Sequence, residues 1–249
     1  MIVAHRGASR HAPENTIAAF NLAWENGADA IEGDFHLSGD GKIVCIHDTD
    51  TRRVAVRKLI VKETELAELR GLDVGAWFGK AWEGTSVPTI SEVFNTIPDG
   101  KMIYIEIKCG EEIITPLFEE IEKSGLETGQ IVIISFNGEV IRKLKTLSPW
   151  FRACWISDFK KDRSGNLIPS LTAILDMLGK TKADGFSSTY RLIDESTISE
   201  IIAHGYEYHV WTIDDLETAI RFRNWGARSI TTNVPGYLKK HLADVAFQH

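Results

Sequence analysis

Short apolar runs rich in β-branched residues recur along the whole chain and predict nine β-strands. The runs lie at residues 2–4, 30–35, 42–47, 102–107, 130–135, 152–157, 184–188, 208–212 and 229–232. Between most of them, apolar residues recur at helical spacing, as at Ile17, Phe20 and Trp24. The chain therefore alternates strand and helix, which is typical of the α/β class.

The connection between the second and third runs breaks this alternation. Only the segment SGDGK, residues 38–42, separates them, whereas two parallel strands need a crossover of about a dozen residues. The third strand is therefore expected to return antiparallel, which leaves eight β/α units in 249 residues, the number and size of a (β/α)8 TIM barrel. An open doubly wound sheet fits the same alternation, but the absence of a GxGxxG or GxxxxGKS loop favours the barrel.

The domain organisation follows from the absence of any linker, low-complexity segment or fixed-period repeat, which predicts one domain over residues 1–249. The exception to the regular spacing is the segment 49–87, between the returning strand and Pro88. A long excursion at the functional end of a barrel is usually a cap or a binding loop. The alternative is a surface decoration with its own small apolar cluster.

The composition and net charge limit the kinds of partner that the protein can bind. Lys and Arg total 28 against 35 Asp and Glu, a formal charge of −7 that disfavours nucleic acid. The apolar runs are too short for membrane insertion and the N-terminus lacks a secretory pattern, so we expect a cytoplasmic protein. A basic patch near Arg52, Arg53, Arg57 and Lys58 is the one feature that favours an anionic membrane. The three cysteines predict neither a disulfide framework nor a zinc site, and no pattern indicates an oligomeric state.

Three acidic residues are expected to meet inside the barrel mouth. Side chains alternate along a strand, so Glu32 and Asp34 share one face of their strand and Glu106 points the same way as Lys108. The isoleucines of the strand at 102–107 then face the helices. Crowded carboxylates repel each other and lose hydration unless a cation compensates, and oxygen ligands alone favour Mg²⁺ or Ca²⁺. The alternative is a set of solvated strand-end acids that never meet.

Two histidines are expected beside these acids. A hairpin turn near Asp40 brings His47 back opposite residue 33, and His5 ends the first strand, next to the second. Such a pair can supply a general acid and a general base. We expect the carboxylates to raise the imidazole pKa and Asp48 to orient His47. The other histidines are expected to be structural: His11, His36, His204, His209, His241 and His249.

Two cations complete the set. Arg6 and Lys108 lie near the same strand ends, where they would neutralise an anionic substrate such as a phosphate. Their alternative role is a salt bridge to Glu32 or Glu106, and the two roles are compatible. Acids, imidazoles and cations together indicate phosphoryl-transfer chemistry.

Several short motifs occur in order along the chain: HRGASRHAPENTIAAF at 5–20, EGD at 32–34, HD at 47–48, LDVGAWF and VPTISEVF within 72–94, EIK at 106–108, SF at 135–136 and VWT at 210–212. Together they resemble the glycerophosphodiester phosphodiesterases, and the HRG followed by PENT is the most specific part. The resemblance implies a TIM barrel that hydrolyses glycerophosphodiesters to glycerol 3-phosphate and an alcohol, in lipid and glycerol metabolism.

The resemblance also implies roles for individual residues. His5 and His47 would be the acid/base pair, and Arg6 and Lys108 would bind phosphate. Trp211 would line the substrate pocket, and 49–87 would be the cap insertion. One divalent cation would be bound by Glu32, Asp34 and Glu106.

One departure from the family pattern concerns the last strand, which ends TTN where similar proteins usually carry TD, so that Asn233 keeps an acceptor oxygen without the charge. This departure bears on substrate preference and metal affinity rather than on reaction class. The alternative functions are a lysophospholipase D acting on lysolipids and a non-catalytic phosphate-binding barrel.

Overall fold

The apolar runs form strands that pair side by side and close on themselves, as a computed structural model describing residues 1–246 shows. The strands are β1 (Ile2–His5), β2 (Ala30–Leu37), β3 (Ile43–Cys45), β4 (Met102–Ile107), β5 (Ile131–Ser135), β6 (Arg152–Ser157), β7 (Lys160–Lys161), β8 (Leu167–Ile168), β9 (Gly185–Thr189), β10 (Glu207–Trp211) and β11 (Ser229–Thr232). Within these residues, eight parallel strands run in the order β1, β2, β4, β5, β6, β9, β10, β11, and β11 pairs with β1 to close the barrel. The predicted (β/α)8 barrel is confirmed. Residues 247–249, and with them His249, lie outside the described residues, and the single domain over 1–249 stays a prediction.

Helices connect the parallel strands. They are α1 (Ile17–Glu25), α2 (Leu66–Arg70), α3 (Ile90–Phe94), α4 (Ile114–Ser124), α5 (Gly138–Leu147), α6 (Leu171–Thr181), α7 (Glu195–Ala203), α8 (Leu216–Asn224) and α9 (Pro235–Ala246). Several begin at a polar side chain that accepts a hydrogen bond from a free backbone N–H of the first turn. These capping residues are Thr16, Thr89, Asn137, Ser170, Asp194 and Asp215.

The strand β3 returns antiparallel to β2, as the short connection predicts. Phe35 pairs with Cys45, and the backbone N–H of Ile46 donates to the carbonyl of Asp34 at 2.9 Å. This register places residue 47 opposite residue 33. His47 therefore lies beside the acidic face of β2.

Two apolar layers lie on either side of the barrel wall. The isoleucines of β4 are buried in the outer layer, where they belong to one core with helix residues such as Leu117 and Ile121. The interior layer is smaller and consists of Val3, Ala30, Tyr104, Val132, Ile134, Cys154 and Ile156. The predicted alternation of the two faces is confirmed.

The segment 49–87 has an apolar cluster of its own, formed by Val54, Val61, Leu69, Val74 and Val87. The cluster packs on Val44 and Ile46 of the returning ribbon, so the segment is attached to β3. Its role as a cap stays a prediction.

The basic patch expected in this segment is neutralised by ion pairs. Arg52 and Lys58 contact Asp50, Arg53 contacts Asp48 and Glu14, and Arg57 contacts Glu68. The patch therefore offers little net charge to an anionic membrane. None of the helices described between residues 1 and 246 combines the length and apolar character needed to cross a bilayer.

Sequence periodicity missed a small hairpin after β6. There β7 and β8 pair antiparallel, with Lys160 opposite Ile168. Each strand has only two residues, too few for an alternating pattern to be visible.

Gly7 fixes the close approach of the loop after β1 to α1. Its φ is +81°, and a Cβ built on it would lie 2.5 Å from the carbonyl carbon of Ala19. Gly41 has a similar φ of +73° but no heavy atom within 4 Å of the corresponding position. An alanine at Gly41 would therefore suffer backbone strain alone, whereas an alanine at Gly7 would also overlap with α1.

We expect Gly7→Ala to destabilise the protein more than Gly41→Ala. Both substitutions put a side chain at positive φ, at about 1–2 kcal/mol, and Gly7→Ala adds overpacking of about 1–3 kcal/mol. Urea unfolding of both variants measures the difference. Equal losses would show that the loop relaxes away from α1.

Candidate active site

Three carboxylates meet at the carboxyl ends of β2 and β4. The strands are adjacent and parallel, and their register pairs Asp34 with Glu106 and Glu32 with Tyr104. One oxygen from each of Glu32, Asp34 and Glu106 lies within 4.8 Å of the others. The alternative of solvated acids that never meet is therefore wrong.

Burial sets the electrostatics of this acidic cluster. Glu32 is 3% exposed and Asp34 1% exposed. Burial, reinforced by Asp34 and Glu106, raises the pKa of Glu32 well above its ordinary value, and burial with Asp34 raises the pKa of Glu106 to about 7. Burial acts in the same direction on Asp34, but Arg6 and Lys108 outweigh it and lower the pKa of that carboxyl. The cluster is therefore short of positive charge.

The hydrogen bonding of the acidic cluster is also incomplete. Within residues 1–246, the buried side-chain atoms without a hydrogen-bond partner are Glu32 Oε1, Asp34 Oδ1, Arg6 Nε and Trp211 Nε1. All four belong to residues of this one site, although such atoms are ordinarily satisfied. Two of them are carboxylate oxygens, the donors that Mg²⁺ and Ca²⁺ prefer. The residues present therefore fit a hard divalent cation.

A second group of possible metal ligands inside the barrel makes a useful contrast. Cys154, Glu207 and His209 also lie within 4.8 Å of one another. However, Glu207 Oε1 lies 3.1 Å from Arg228 Nε, and His209 hydrogen bonds to Ser229 Oγ and to Glu207. Because its charged groups already have partners, this second group does not require an ion.

The two predicted cations lie against the acidic cluster. Arg6 Nε forms an ion pair with Asp34 Oδ2 at 3.1 Å, without the alignment of a hydrogen bond, and Arg6 Nη1 donates to Glu14 Oε1 at 2.9 Å. Lys108 Nζ is 2.6 Å from Glu106 Oε1 and 3.5 Å from Asp34 Oδ1. The salt bridges expected as their alternative role are present, although Glu32 accepts from the backbone N–H of Arg6 and not from its guanidinium. Phosphate binding by Arg6 and Lys108 stays a prediction.

His5 is held by Asn233. Its Nδ1 is 2.8 Å from Asn233 Oδ1, and the Asn233 amide is oriented because its Nδ2 donates to Asp214 Oδ2 at 2.8 Å. Since Asn233 Oδ1 only accepts, Nδ1 of His5 carries a proton and Nε2 is the free nitrogen of the neutral ring. Burial, followed by the nearby Arg6, lowers the pKa of His5 to about 4. Asp34 and Glu14 act in the expected direction, but burial and Arg6 outweigh them, so the expected net rise in the pKa of His5 is wrong.

His47 has a different second partner. Its Nδ1 is 2.6 Å from Asp48 Oδ1, the contact that the sequence predicts. Asp48 in turn accepts from Arg53 Nε at 2.7 Å. The two candidate catalytic histidines thus differ: His5 is backed by a neutral amide and His47 by an acid.

These groups open into one cavity of about 270 Å³ in the barrel mouth. Phe136 and Trp211 form an aromatic wall, with ring centroids 5.9 Å apart and planes nearly perpendicular. The lining residues are His5, Arg6, Glu32, His47, Tyr104, Glu106, Lys108, Ile134, Phe136, Ile156, Ser187, His209, Trp211 and Thr231. Asp34 lies behind this lining, under Arg6 and Lys108.

Some residues of the site were not singled out from the sequence. Glu14 pairs with Arg6, and Asn15 donates to Asp34 Oδ2 at 2.8 Å. Both lie in the PENT motif, which was the available signal. Tyr104 also lines the cavity, and so does His209, which was expected to be structural. Their signal is the two-residue alternation with Glu106 and Trp211.

Comparison with known proteins agrees with this geometry. The model of the glycerophosphoryl diester phosphodiesterase family matches residues 5–237. The chain is 32% identical over 239 residues to a glycerophosphodiester phosphodiesterase of Caldanaerobacter subterraneus subsp. tengcongensis, covering 94% of each protein. It is 30% identical over 257 residues to the Bacillus subtilis glycerophosphodiester phosphodiesterase, covering 96% of this chain and 85% of that protein.

The fold is shared with a phosphodiesterase of Oleispira antarctica solved in complex with its product, sn-glycerol-3-phosphate. That structure superposes with a TM-score of 0.89 at 29% identity, covering 98% of this chain and 96% of that one. The family match, the identities and the barrel agree along nearly the whole sequence. The chain therefore belongs to the glycerophosphoryl diester phosphodiesterase family.

Proposed function

We propose that this protein hydrolyses glycerophosphodiesters to glycerol 3-phosphate and an alcohol with the help of one divalent cation, Mg²⁺ or Ca²⁺. One observation carries the proposal: a buried acidic cluster with too little positive charge around it and two imidazoles with different hydrogen-bond partners converge on one cavity. Family membership supports the substrate class. The product complex of the Oleispira antarctica relative supports it as well.

Glu32, Asp34 and Glu106 would hold the cation. Glu32 and Asp34 each have an unpartnered oxygen, and the pKa values of Glu32 and Glu106 are raised, so the negative charge of the site is only partly compensated. When bound, the cation neutralises these carboxylates and stabilises negative charge on the phosphoryl oxygens.

Arg6 and Lys108 would bind the phosphodiester. Both contact acids of the cluster, so a phosphate oxygen can replace a carboxylate oxygen at a hydrogen-bond donor that is already in place. Arg6 adds a planar fork that suits phosphate. Trp211 and Phe136 would line the part of the cavity that receives the organic groups.

We assign His5 as the general base and His47 as the general acid. His5 is neutral because its pKa is low, and its free Nε2 accepts the proton of the nucleophile, which is water or a neighbouring glycerol hydroxyl. As the nucleophile bonds to phosphorus, the bond to the leaving oxygen breaks and His47 gives that oxygen its proton. Attack by a glycerol hydroxyl gives a cyclic phosphate, which water then opens.

The first prediction from this proposal is release of glycerol 3-phosphate from glycerophosphocholine or glycerophosphoethanolamine. EDTA should abolish the release, and Mg²⁺ or Ca²⁺ should restore it, because the acidic cluster otherwise repels the phosphate. An enzyme-coupled glycerol 3-phosphate assay measures this. Faster turnover of micellar lysolipid would favour a lysophospholipase D, and phosphate binding without release would indicate a non-catalytic barrel.

The second prediction concerns the histidines. We expect His5→Ala and His47→Ala each to lower kcat about 10²–10⁴-fold, because each removes one proton transfer. His204→Ala is the matched control, since His204 is the exposed residue that follows the last turn of α7, and this variant should retain full kcat. Thermal unfolding checks that all three variants fold. Activity retained by either cavity variant would remove that histidine from the mechanism.

The third prediction concerns stability in EDTA. The pKa of Glu106 in the folded protein, about 7, exceeds its ordinary value of 4.5, so between these pH values the folded state binds more protons than the unfolded state. This contribution to the free energy of unfolding therefore falls as pH rises from about 4.5 to about 7. Glu106→Gln removes it.

Urea unfolding across this range should show Glu106→Gln gaining stability relative to the wild type as pH rises. The comparison uses the difference in the free energy of unfolding between the two proteins. The lowered pKa of His5 makes this free energy rise with pH in both of them, and the difference removes that contribution. A constant difference would contradict the burial of charge at Glu106.

A further inference from the structure

Arg53 belongs to the 49–87 segment and does not line the cavity, yet it contacts both arms of the site. Its Nε donates to Asp48 Oδ2 at 2.7 Å. Its Nη1 donates to Glu14 Oε2 at 2.7 Å, and its Nη2 donates to Glu14 Oε1 at 2.8 Å. One planar guanidinium therefore bridges two carboxylates, and its contact with Glu14 is bidentate.

Each bridged carboxylate uses its other contact to orient a group of the cavity. Asp48 Oδ1 contacts His47 Nδ1 at 2.6 Å, and Glu14 Oε1 accepts from Arg6 NH1 at 2.9 Å. Arg53 thus links the proposed general acid on the returning ribbon to the proposed phosphate ligand after β1. Among the described residues, no hydrogen bond joins the side chains of His47 and Arg6 directly.

We propose that Arg53 is a positioning residue that holds His47 and Arg6 in mutual register for phosphodiester hydrolysis. The inference rests on the proposed function. Asp48 Oδ2 and Glu14 Oε2 have no other hydrogen-bond partner in the described part of the chain, so loss of Arg53 frees both carboxylates to rotate. A shift of about 1 Å in a catalytic group is enough to cost about 100-fold in rate.

A purely stabilising role fits the position less well. The Arg53 side chain is 42% exposed, and exposed ion pairs contribute little to the free energy of unfolding. Arg52 supplies an internal control, because it lies in the same segment and is 67% exposed. Within residues 1–246, its side-chain hydrogen bond and ion pair are with Asp50 alone. Removing either arginine changes net charge equally, but only Arg53 reaches the residues behind the cavity.

The experiment compares Arg53→Met, Arg53→Lys and Arg52→Met. We expect Arg53→Met to lower kcat about 10–100-fold while KM changes less than about threefold, because geometry is lost and phosphate charge is kept. Arg53→Lys should fall between the wild type and Arg53→Met, since a point charge cannot bridge both acids as a planar fork does. Arg52→Met should match the wild type, and all three should unfold within a few degrees of it.

A second measurement does not depend on turnover. The Nδ1–H proton of His47, assigned by its loss in His47→Ala, should give a downfield NMR signal in the wild type and in Arg52→Met. It should weaken or disappear in Arg53→Met, because Asp48 is released.

Equal kcat in Arg53→Met and Arg52→Met, or an unchanged His47 signal, overturns the positioning role. A rise in KM at constant kcat overturns it as well, since Arg53 would then act on binding. If Arg53→Met does not fold, Arg53→Lys decides by the same two measurements. If the His47 signal differs between the wild type and Arg53→Met as expected but the wild type releases no glycerol 3-phosphate, the proposed function is refuted while the link from Arg53 to His47 remains supported.

Discussion

The structure depends on holding three carboxylates together in a buried space, where their negative charge is unfavourable. Glu32 and Asp34 are brought together by one strand, and Glu106 joins them because β4 pairs in register with β2. Burial removes the water that would otherwise screen them. Arg6 and Lys108 compensate part of the charge, and Asn15 donates to Asp34. The oxygens that remain unpartnered could bind a cation. The surrounding loops can be understood as supports for these compensating groups.

Much of this arrangement follows from sequence periodicity. Alternation along β2 and β4 predicts which side chains enter the barrel, and the five-residue connection predicts the antiparallel return that carries His47 to the acids. These inferences succeed because strand geometry is regular and hairpin register is fixed by loop length. The β7–β8 hairpin has too few residues to show any period. The fold of 49–87 depends on an apolar cluster assembled from residues far apart in that segment, with no period to reveal it.

The pKa values of the site were harder to predict from the sequence than its geometry. The sequence places carboxylates near His5, which suggests a raised pKa, whereas burial and Arg6 lower it. The sign depends on how much solvent remains and on which charge is nearest, and neither follows from spacing. The same reason hid the part played by Asn233. Its amide fixes the proton on His5 because Asp214 fixes the amide, and this chain of contacts crosses three separate segments.

The returning ribbon has a consequence for how such an enzyme can diversify. His5 ends a strand of the barrel, whereas His47 follows β3, a strand outside it that is supported by the apolar cluster of the segment 49–87. The two proposed proton-transfer groups are therefore supported by different parts of the structure. Substitutions that reshape the appended segment can shift one imidazole relative to the other while the eight-stranded frame stays intact. The distance between His5 and His47 can therefore change in evolution while the barrel stays the same.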